Sequence, residues 1–380
     1  MSRFRLSFLL TLALLFSARP ILATNFAVGN CKPSLPSFPN ISAAVSSPLT
    51  VGSTVMVCPG TYAEQVTIAQ SLTLQGITSG NSAQPVITVP ASGLTANITD
   101  PFGSPFAAQV GVNAGPVNIS NITVDGTGGS NGCSLNLVGI FYENSSGTVN
   151  EVTVRNEMNA GCGFGIFAEN ATATNESVTI ENSSVHDVDG SALLAASNQT
   201  PPTLTATIKG NYVESSYIGV FEYTGAGPGS VTGNTITAGQ ISIISVAPSV
   251  TISSNTLINS PIGISADATG ISATSNKIWN SSSPGFFGTA RGIDFGASGM
   301  TIQSNFIAKS AIGIEFNCNA GNTVSHNTIN DAAIGLDSVP LILTTPPEFF
   351  FNVATIRTDG CGFALSRSVS VPSPANHHTD

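Results

Sequence analysis

Three carboxylates recur at one position of a repeated phrase: Arg291-Gly-Ile-Asp294, Ile312-Gly-Ile-Glu315 and Ile334-Gly-Leu-Asp337. If these phrases are strands lying side by side, side chains alternate between the two faces, and the carboxyls share the face opposite the apolar residue before them. Adjacent strands would hold them about 4.8 Å apart. Carboxyls stacked that closely raise one another's pKa or recruit a cation. A pair ~5 Å apart is the arrangement of retaining glycoside hydrolases, and alternate strands give the wider gap of inverting ones. One carboxyl then stays protonated as the acid while another serves as base or nucleophile. Asp294, Glu315 and Asp337 are therefore the candidate catalytic residues. Asp267, one repeat earlier, could add a ligand for Ca²⁺, which takes hard oxygen donors. No other cofactor is called for, and no His or Cys spacing suggests zinc. The bland alternative is a solvated acidic edge that keeps the protein soluble.

The same outward row, read toward the N-terminus, runs Ser265, Ser242, Phe221, Phe167 and Phe141. Two residues further along each strand, also outward, are Glu143, Glu169, Tyr223, Ile244, Asp267, Gly296, Asn317 and Val339. One face thus has an aromatic end and an acidic end. Phe141, Phe167, Phe221 and Tyr223 are candidate substrate-binding residues, because aromatic rings stack on sugar faces. The long turns at 125–137, 156–164 and 195–205 could equally cover them. From Asn276 to Gly292 is 16 residues where neighbouring repeats use 8. This insertion carries Pro284, Phe286 and Phe287, and loops on rigid scaffolds commonly carry function. Phe286 and Arg291 join the candidate substrate-binding set. Their alternative roles are a hydrophobic plug and a counter-charge for Asp294. His186-Asp187-Val-Asp189 is a His–carboxylate cluster better read as an Asp-rich turn than as a general-base pair.

The elements that must position these residues are short. The phrase apolar-x-x-Asn-x-apolar, then Gly-apolar, recurs as Ile252…Asn255…Leu257…Gly263, as Ile302…Asn305…Ile307…Gly313 and as Val324…Asn327…Ile329…Gly335. The first apolar position runs Ile119, Val149, Ile180, Ile208, Val231, Ile252, Ala273, Ile302, Val324, at intervals of 21 to 31 residues. Repeats of roughly 20 to 30 residues built from period-two apolar runs signal a solenoid of strands, not helices. No single coil has a core of its own; stacking supplies one. Asn211, Asn234, Asn255, Asn276, Asn305 and Asn327 should form a ladder, each taking a left-handed backbone and bonding the next coil.

The opening Ile41-Ser-Ala-Ala-Val45…Gly52-Ser-Thr-Val…Cys58-Pro-Gly-Thr-Tyr62-Ala-Glu64…Ile68…Leu72-Thr-Leu-Gln-Gly76, with the coils that follow, resembles the right-handed parallel β-helix of the pectin-lyase-like superfamily. The resemblance covers roughly residues 40 to 340. It implies an all-β, single-stranded right-handed parallel β-helix of about eleven coils with capped ends. It implies no one activity, since these coils host lyases, hydrolases, esterases, epimerases and non-catalytic proteins. The polygalacturonase-like Asn-Thr-Asp, Asp-Asp, Gly-His-Gly set is absent, and Asp100-Pro-Phe102 lacks the His of an epimerase-like Asp-Pro-His.

Residues 1–23 read as a signal peptide: Arg3 and Arg5, the apolar Leu6–Phe16, then Ile21-Leu-Ala23. The remainder divides into a cap and first strand (24–60), the β-helix (61–365) and a tail expected to be disordered (366–380). Losing Arg3, Arg5 and Arg19 takes the net charge from −10 to −13. That excludes nucleic acid, which needs a basic stripe, and disfavours polyanionic glycans. No further segment is long enough to insert in a bilayer. Six Cys in an exported chain favour disulfides; of fifteen connectivities, Cys31–Cys58, Cys133–Cys162 and Cys318–Cys361 are expected. The expected function is a secreted or periplasmic monomer that binds or hydrolyses a polysaccharide. A lyase is less favoured because Lys and Arg are scarce on the acidic face. The rival is a non-catalytic surface or scaffold protein.

Overall fold

The computed structural model describes residues 24–78, 84–100, 103–223, 229–280, 288–317, 321–330, 332, 334–339, 348–352 and 356–357, with the backbone alone at 317 and in the strands beyond 333. The expected leader, Phe286, the Cys318–Cys361 pair and the tail lie outside the described residues.

The chain winds into three parallel sheets. The first is a ladder through Thr54–Val57, Leu72–Gly76, Val117–Ser120 and Gly147–Asn150, continuing to the strand that begins at Thr323. The second runs through Thr61–Ala63, Val86–Thr88 and Thr123–Asp125. The third runs through Val66–Ile68, Pro105–Val112, Asn136–Glu143 and Gly163–Asn170 to Ile334–Val339. The inward column predicted from the repeat is in register throughout: Ile119, Val149, Ile180, Ile208, Val231, Ile252, Ala273, Ile302 and Val324 pair in turn. All are buried in one continuous core.

Glycine recurs at the entry to the third sheet because the backbone there has no room for a Cβ. A Cβ on Gly263 would lie 2.5 Å from the carbonyl oxygen of Gly292, and one on Gly292 would lie 2.5 Å from that of Gly313. Between the first and second sheets runs the asparagine ladder. From Asn234 to Asn327, each amide oxygen accepts the backbone N–H and the side-chain N–H of the Asn one coil back, at 2.9–3.0 Å. The same amide nitrogens donate to carbonyls one coil back, such as Asn255 to Val231 and Asn305 to Ala273, both at 2.8 Å. The left-handed residue is not the Asn, as expected, but the one before it: Gly210, Gly233, Ser254, Ser275, Ser304 and His326 have φ between 55° and 65°. That geometry turns the Asn side chain inward.

One end is closed by the helix α1 (Ile41–Val45), which buries Ile41, Ala44 and Val45. Glu64 of the Pro-Gly-Thr-Tyr-x-Glu turn accepts from the N–H groups of Ile41 and Ser42 at 2.9 and 2.8 Å and from the Ser42 hydroxyl at 2.6 Å. The entry motif is thus a clamp on the cap. Disulfides join Cys31 to Cys58 and Cys133 to Cys162, as expected.

One inward position breaks the pattern. Glu222 sits between Ala195 and Ser245 in the third-sheet column, fully buried, and neither carboxyl oxygen has a protein partner. Burial pushes its pKa from 4.5 up to about 8, so it is carried as the neutral acid at neutral pH.

Stability should respond at these positions. Asn255→Ala strips partners from buried groups on both neighbouring coils and should cost about 3 kcal/mol or more, read as a lowered denaturant midpoint. Thr251→Ala, on the exposed face of the first sheet, should stay within about 0.5 kcal/mol. Because native Glu222 holds a proton that the unfolded chain has lost between about pH 4.5 and 8, stability should fall as pH rises through that window. Glu222→Gln should flatten that fall and raise Tm most at the alkaline end.

Candidate functional site

The outward row of the third sheet is in register: Phe141, Phe167, Leu194, Phe221, Ile244, Ser265, Asp294, Glu315 and Asp337 pair strand by strand. This corrects the row read from sequence at one place. Ile244, not Ser242, follows Phe221, because the strand Thr235–Ser245 shifts register past its bend. Ser242 is instead buried, with its hydroxyl 2.7 Å from that of Ser260. Leu194 stands between Phe167 and Phe221, on a coil absent from the row read from sequence.

At the acidic end, Arg291, Asp294 and Glu315 come together. The Arg291 Nε–H donates to Glu315 Oε2 and lies 3.9 Å from Asp294 Oδ2. A second guanidinium nitrogen donates to the Thr289 carbonyl at 3.2 Å. Partial burial pushes the Asp294 pKa from 3.8 up to about 6, and the Glu315 charge adds to the rise while Arg291 opposes it. Asp267 is raised by burial too and contributes charge rather than contact. Asp337 pairs with Glu315 through the backbone; its side chain lies outside the described residues. Among the described residues no three His, Cys, Asp or Glu side chains are placed to hold a metal ion.

At the aromatic end the row points away from the main core, as parity requires, but it is covered. Phe141 is fully buried in a second, smaller core with Ile98, Phe106, Val138, Phe167 and Leu194. Phe141 stacks on Phe167 with centroids 4.4 Å apart, and Phe106 meets Phe141 edge-on at 5.3 Å. The cover includes Ile98 and Phe106, from the antiparallel pairing of Ile98–Thr99 with Pro105–Phe106, together with Phe164 and Ala196 from two of the turns suspected from sequence. Phe141 therefore cannot touch a ligand; its role as a substrate-binding residue is withdrawn.

Phe167, Phe221 and Tyr223 do reach a cleft of about 430 Å³ beside this small core. Phe106, Phe164 and Leu194 extend its apolar wall, and Tyr217 and Tyr223 stand at its lip, 37% and 41% exposed. The polar residue at its floor is Glu169, which sequence parity placed outward beside Phe167 but which earned no role there. Glu169 is 3% exposed, and its Oε2 has no hydrogen-bond partner. Burial pushes its pKa up to about 8, reinforced by the charges of Asp100 and Glu143. Glu143, one coil back and in register with Glu169, is itself raised by burial. Asp100 also lines the cleft and accepts the Ser104 N–H at 2.6 Å.

The His186–Asp189 segment is a bend within the strand Ser184–Ser197, not a turn. His186 Nδ1 contacts Asp187 Oδ2 at 2.7 Å, and Asp187 has φ 57°. Asp189 accepts the N–H groups of Asn159, Gly161 and Gly163 at 2.6–2.9 Å. It thereby shapes the loop that carries Cys162 and one wall of the cleft.

Replacing Phe167 with Ala should open the small core and cost about 3–5 kcal/mol, whereas Tyr223→Ala at the lip should leave the melting temperature nearly unchanged. Thermal unfolding of the two variants checks this.

The family described as a right-handed β-helix region matches residues 173–344. No curated protein matches the sequence. Among solved structures, the GH136 lacto-N-biosidase from Eubacterium ramulus is 12% identical over 88% of this chain and 67% of its own, with a TM-score of 0.59. A tailspike protein of E. coli bacteriophage HK620, in complex with a hexasaccharide, is 14% identical over 86% of this chain and 63% of its own, with a TM-score of 0.51. At such identities the likeness is one of fold. The inward column, the parallel ladders and these matches agree: the chain folds as a right-handed parallel β-helix.

Proposed function

We propose that this protein binds a polysaccharide along the outward face of the third sheet and cleaves it by hydrolysis, with Asp294 and Glu315 as the working carboxyls. The observation that carries the reading is their inequality. They sit in register on adjacent coils, Arg291 lies against Glu315, and Asp294 has a pKa raised to about 6. A partly buried carboxyl with a raised pKa beside an ion-paired one can divide the work of acid and base. Asp294 would protonate the leaving oxygen, and Glu315 would act on the anomeric carbon. Their spacing of about one inter-strand step, ~4.8 Å, fits retention of configuration. Arg291 would also position a sugar hydroxyl, and Asp337 would extend the acidic row by one coil. A leader at 1–23 and the disulfides fit export to an oxidising compartment. The similar folds of a lacto-N-biosidase and of a tailspike holding a hexasaccharide support a saccharide partner.

A second reading is favoured by the Arg291 ion pair: it already neutralises the acidic edge, as a non-catalytic scaffold would require. The purified mature protein, incubated with a polysaccharide panel and scored for reducing ends and unsaturated products, separates the two. Hydrolysis should appear and should fall as pH rises above about 6, where Asp294 loses its proton. Asp294→Asn and Glu315→Gln should each lower the rate about 10²-fold or more, and chelators should change nothing. Loss on chelation would make the row a Ca²⁺ site. No product from any glycan, with binding retained, would establish the scaffold reading.

A further inference from the structure

The aromatic cleft lies three coils from Asp294 along the outward row, from Phe221 through Ile244 and Ser265. That is about 14 Å at one inter-strand step per coil, too far for its residues to touch a bond held at the acidic pair. It has its own built polar group, a nearly buried carboxyl with an unpartnered oxygen at the floor of an apolar cavity.

What such a site binds follows from its chemistry. Among the described residues its lining includes no Lys or Arg, and Asp100 and Glu169 are its carboxyl groups. A uronate or sulfated sugar would meet like charge and no counter-charge, at a cost that burial enlarges. Glu169 faces Asp100 from the 97–106 excursion and Glu143 from the preceding coil. Among the described residues no cation contacts it, so it serves as a neutral O–H donor. An O–H donor in an apolar wall seeks a strong acceptor and loses most if none is supplied. The remaining surface is ring faces and small apolar groups from Phe164, Phe167, Leu194 and Ala196. That surface suits a methyl group better than a hydroxyl, because an unpaired hydroxyl buried there is costly.

We propose that this cleft recognises a neutral acylamino sugar, with the amide carbonyl accepting from the Glu169 carboxyl and the acyl methyl packed on Phe164 and Phe167. Tyr217 and Tyr223 at the lip stack on the sugar ring. The site is separate from the hydrolytic pair and selects the glycan that the pair receives.

The test is calorimetric titration of the mature protein with three trisaccharides: tri-N-acetylchitotriose, its fully deacetylated counterpart and cellotriose. The N-acetylated trimer should bind at pH 6 at least ten-fold more tightly than either of the others. Its affinity should fall as pH passes about 8, where Glu169 ionises. Glu169→Gln keeps a donor and should bind without that pH dependence, while Glu169→Leu should lose ten-fold or more, both with the wild-type circular dichroism spectrum. The readout is binding at the Glu169 cleft and needs no turnover, so failure of the hydrolytic reading leaves this result intact. Equal affinity for cellotriose, preference for the deacetylated trimer, no binding of the N-acetylated trimer, or a Glu169→Gln variant as weak as Glu169→Leu would each overturn the proposal.

Discussion

Everything on the surface of this molecule depends on coil-to-coil register, and register is held by buried amides. An apolar column alone tolerates sliding, because one Ile packs on another with little directional preference. The asparagine ladder does not. Each Asn amide joins its own coil to both neighbours through bonds of 2.8–3.0 Å, and a slip of one residue would leave several buried donors and acceptors unpaired at once. With the ladder fixed, the strand after each Gly is fixed too, and with it the position of every outward side chain. The adjacency of Asp294 and Glu315 is therefore a consequence of asparagines on another edge of the solenoid.

The same regularity explains how the molecule holds ionisable groups at unusual protonation states. Coils are flat and close, so a carboxyl placed inward, such as Glu222, has no route to water. A carboxyl under a covering excursion, such as Glu169, has little more. Glu157 is a third case: it is fully buried, without a partner for either oxygen, and lies against Gly126 and Gly139 with Asp125 and Asp189 adding charge. All three are pushed up to about 8. Carrying several neutral carboxyls favours the folded chain in mildly acidic surroundings. The outward face then grades from an apolar, neutral cleft to an exposed, charged pair, which suits a long ligand with chemically different ends better than a compact one.

The fold was legible because its signals are local and repeated. The inward column, the ladder asparagines and the Gly at most third-sheet entries recur from coil to coil, and parity alone assigned Asp294 and Glu315 to one row. What parity could not show is cover. Phe141 obeys the outward rule, but the excursion carrying Ile98 and Phe106 folds back over it from residues that belong to no repeat. The same excursion turns Glu169, an ordinary outward carboxylate in the sequence, into a buried acid at the floor of a cleft. The register shift that replaced Ser242 with Ile244 has the same origin: the strand Thr235–Ser245 crosses a corner without the usual Gly-apolar phrase. Sequence therefore located the face and the charged pair, and missed the parts set by irregular loops.

The central claim is that a glycan lies along the third sheet and is cut between Asp294 and Glu315. Its most direct test is a crystal structure of the Asp294→Asn protein holding the oligosaccharide that the wild-type protein binds most tightly. The account predicts sugar density along the outward row, with one glycosidic oxygen within hydrogen-bond reach of residue 294 and Glu315 beside the anomeric carbon. Density confined to the first or second sheet, or a chain whose bonds all lie away from that pair, would contradict it.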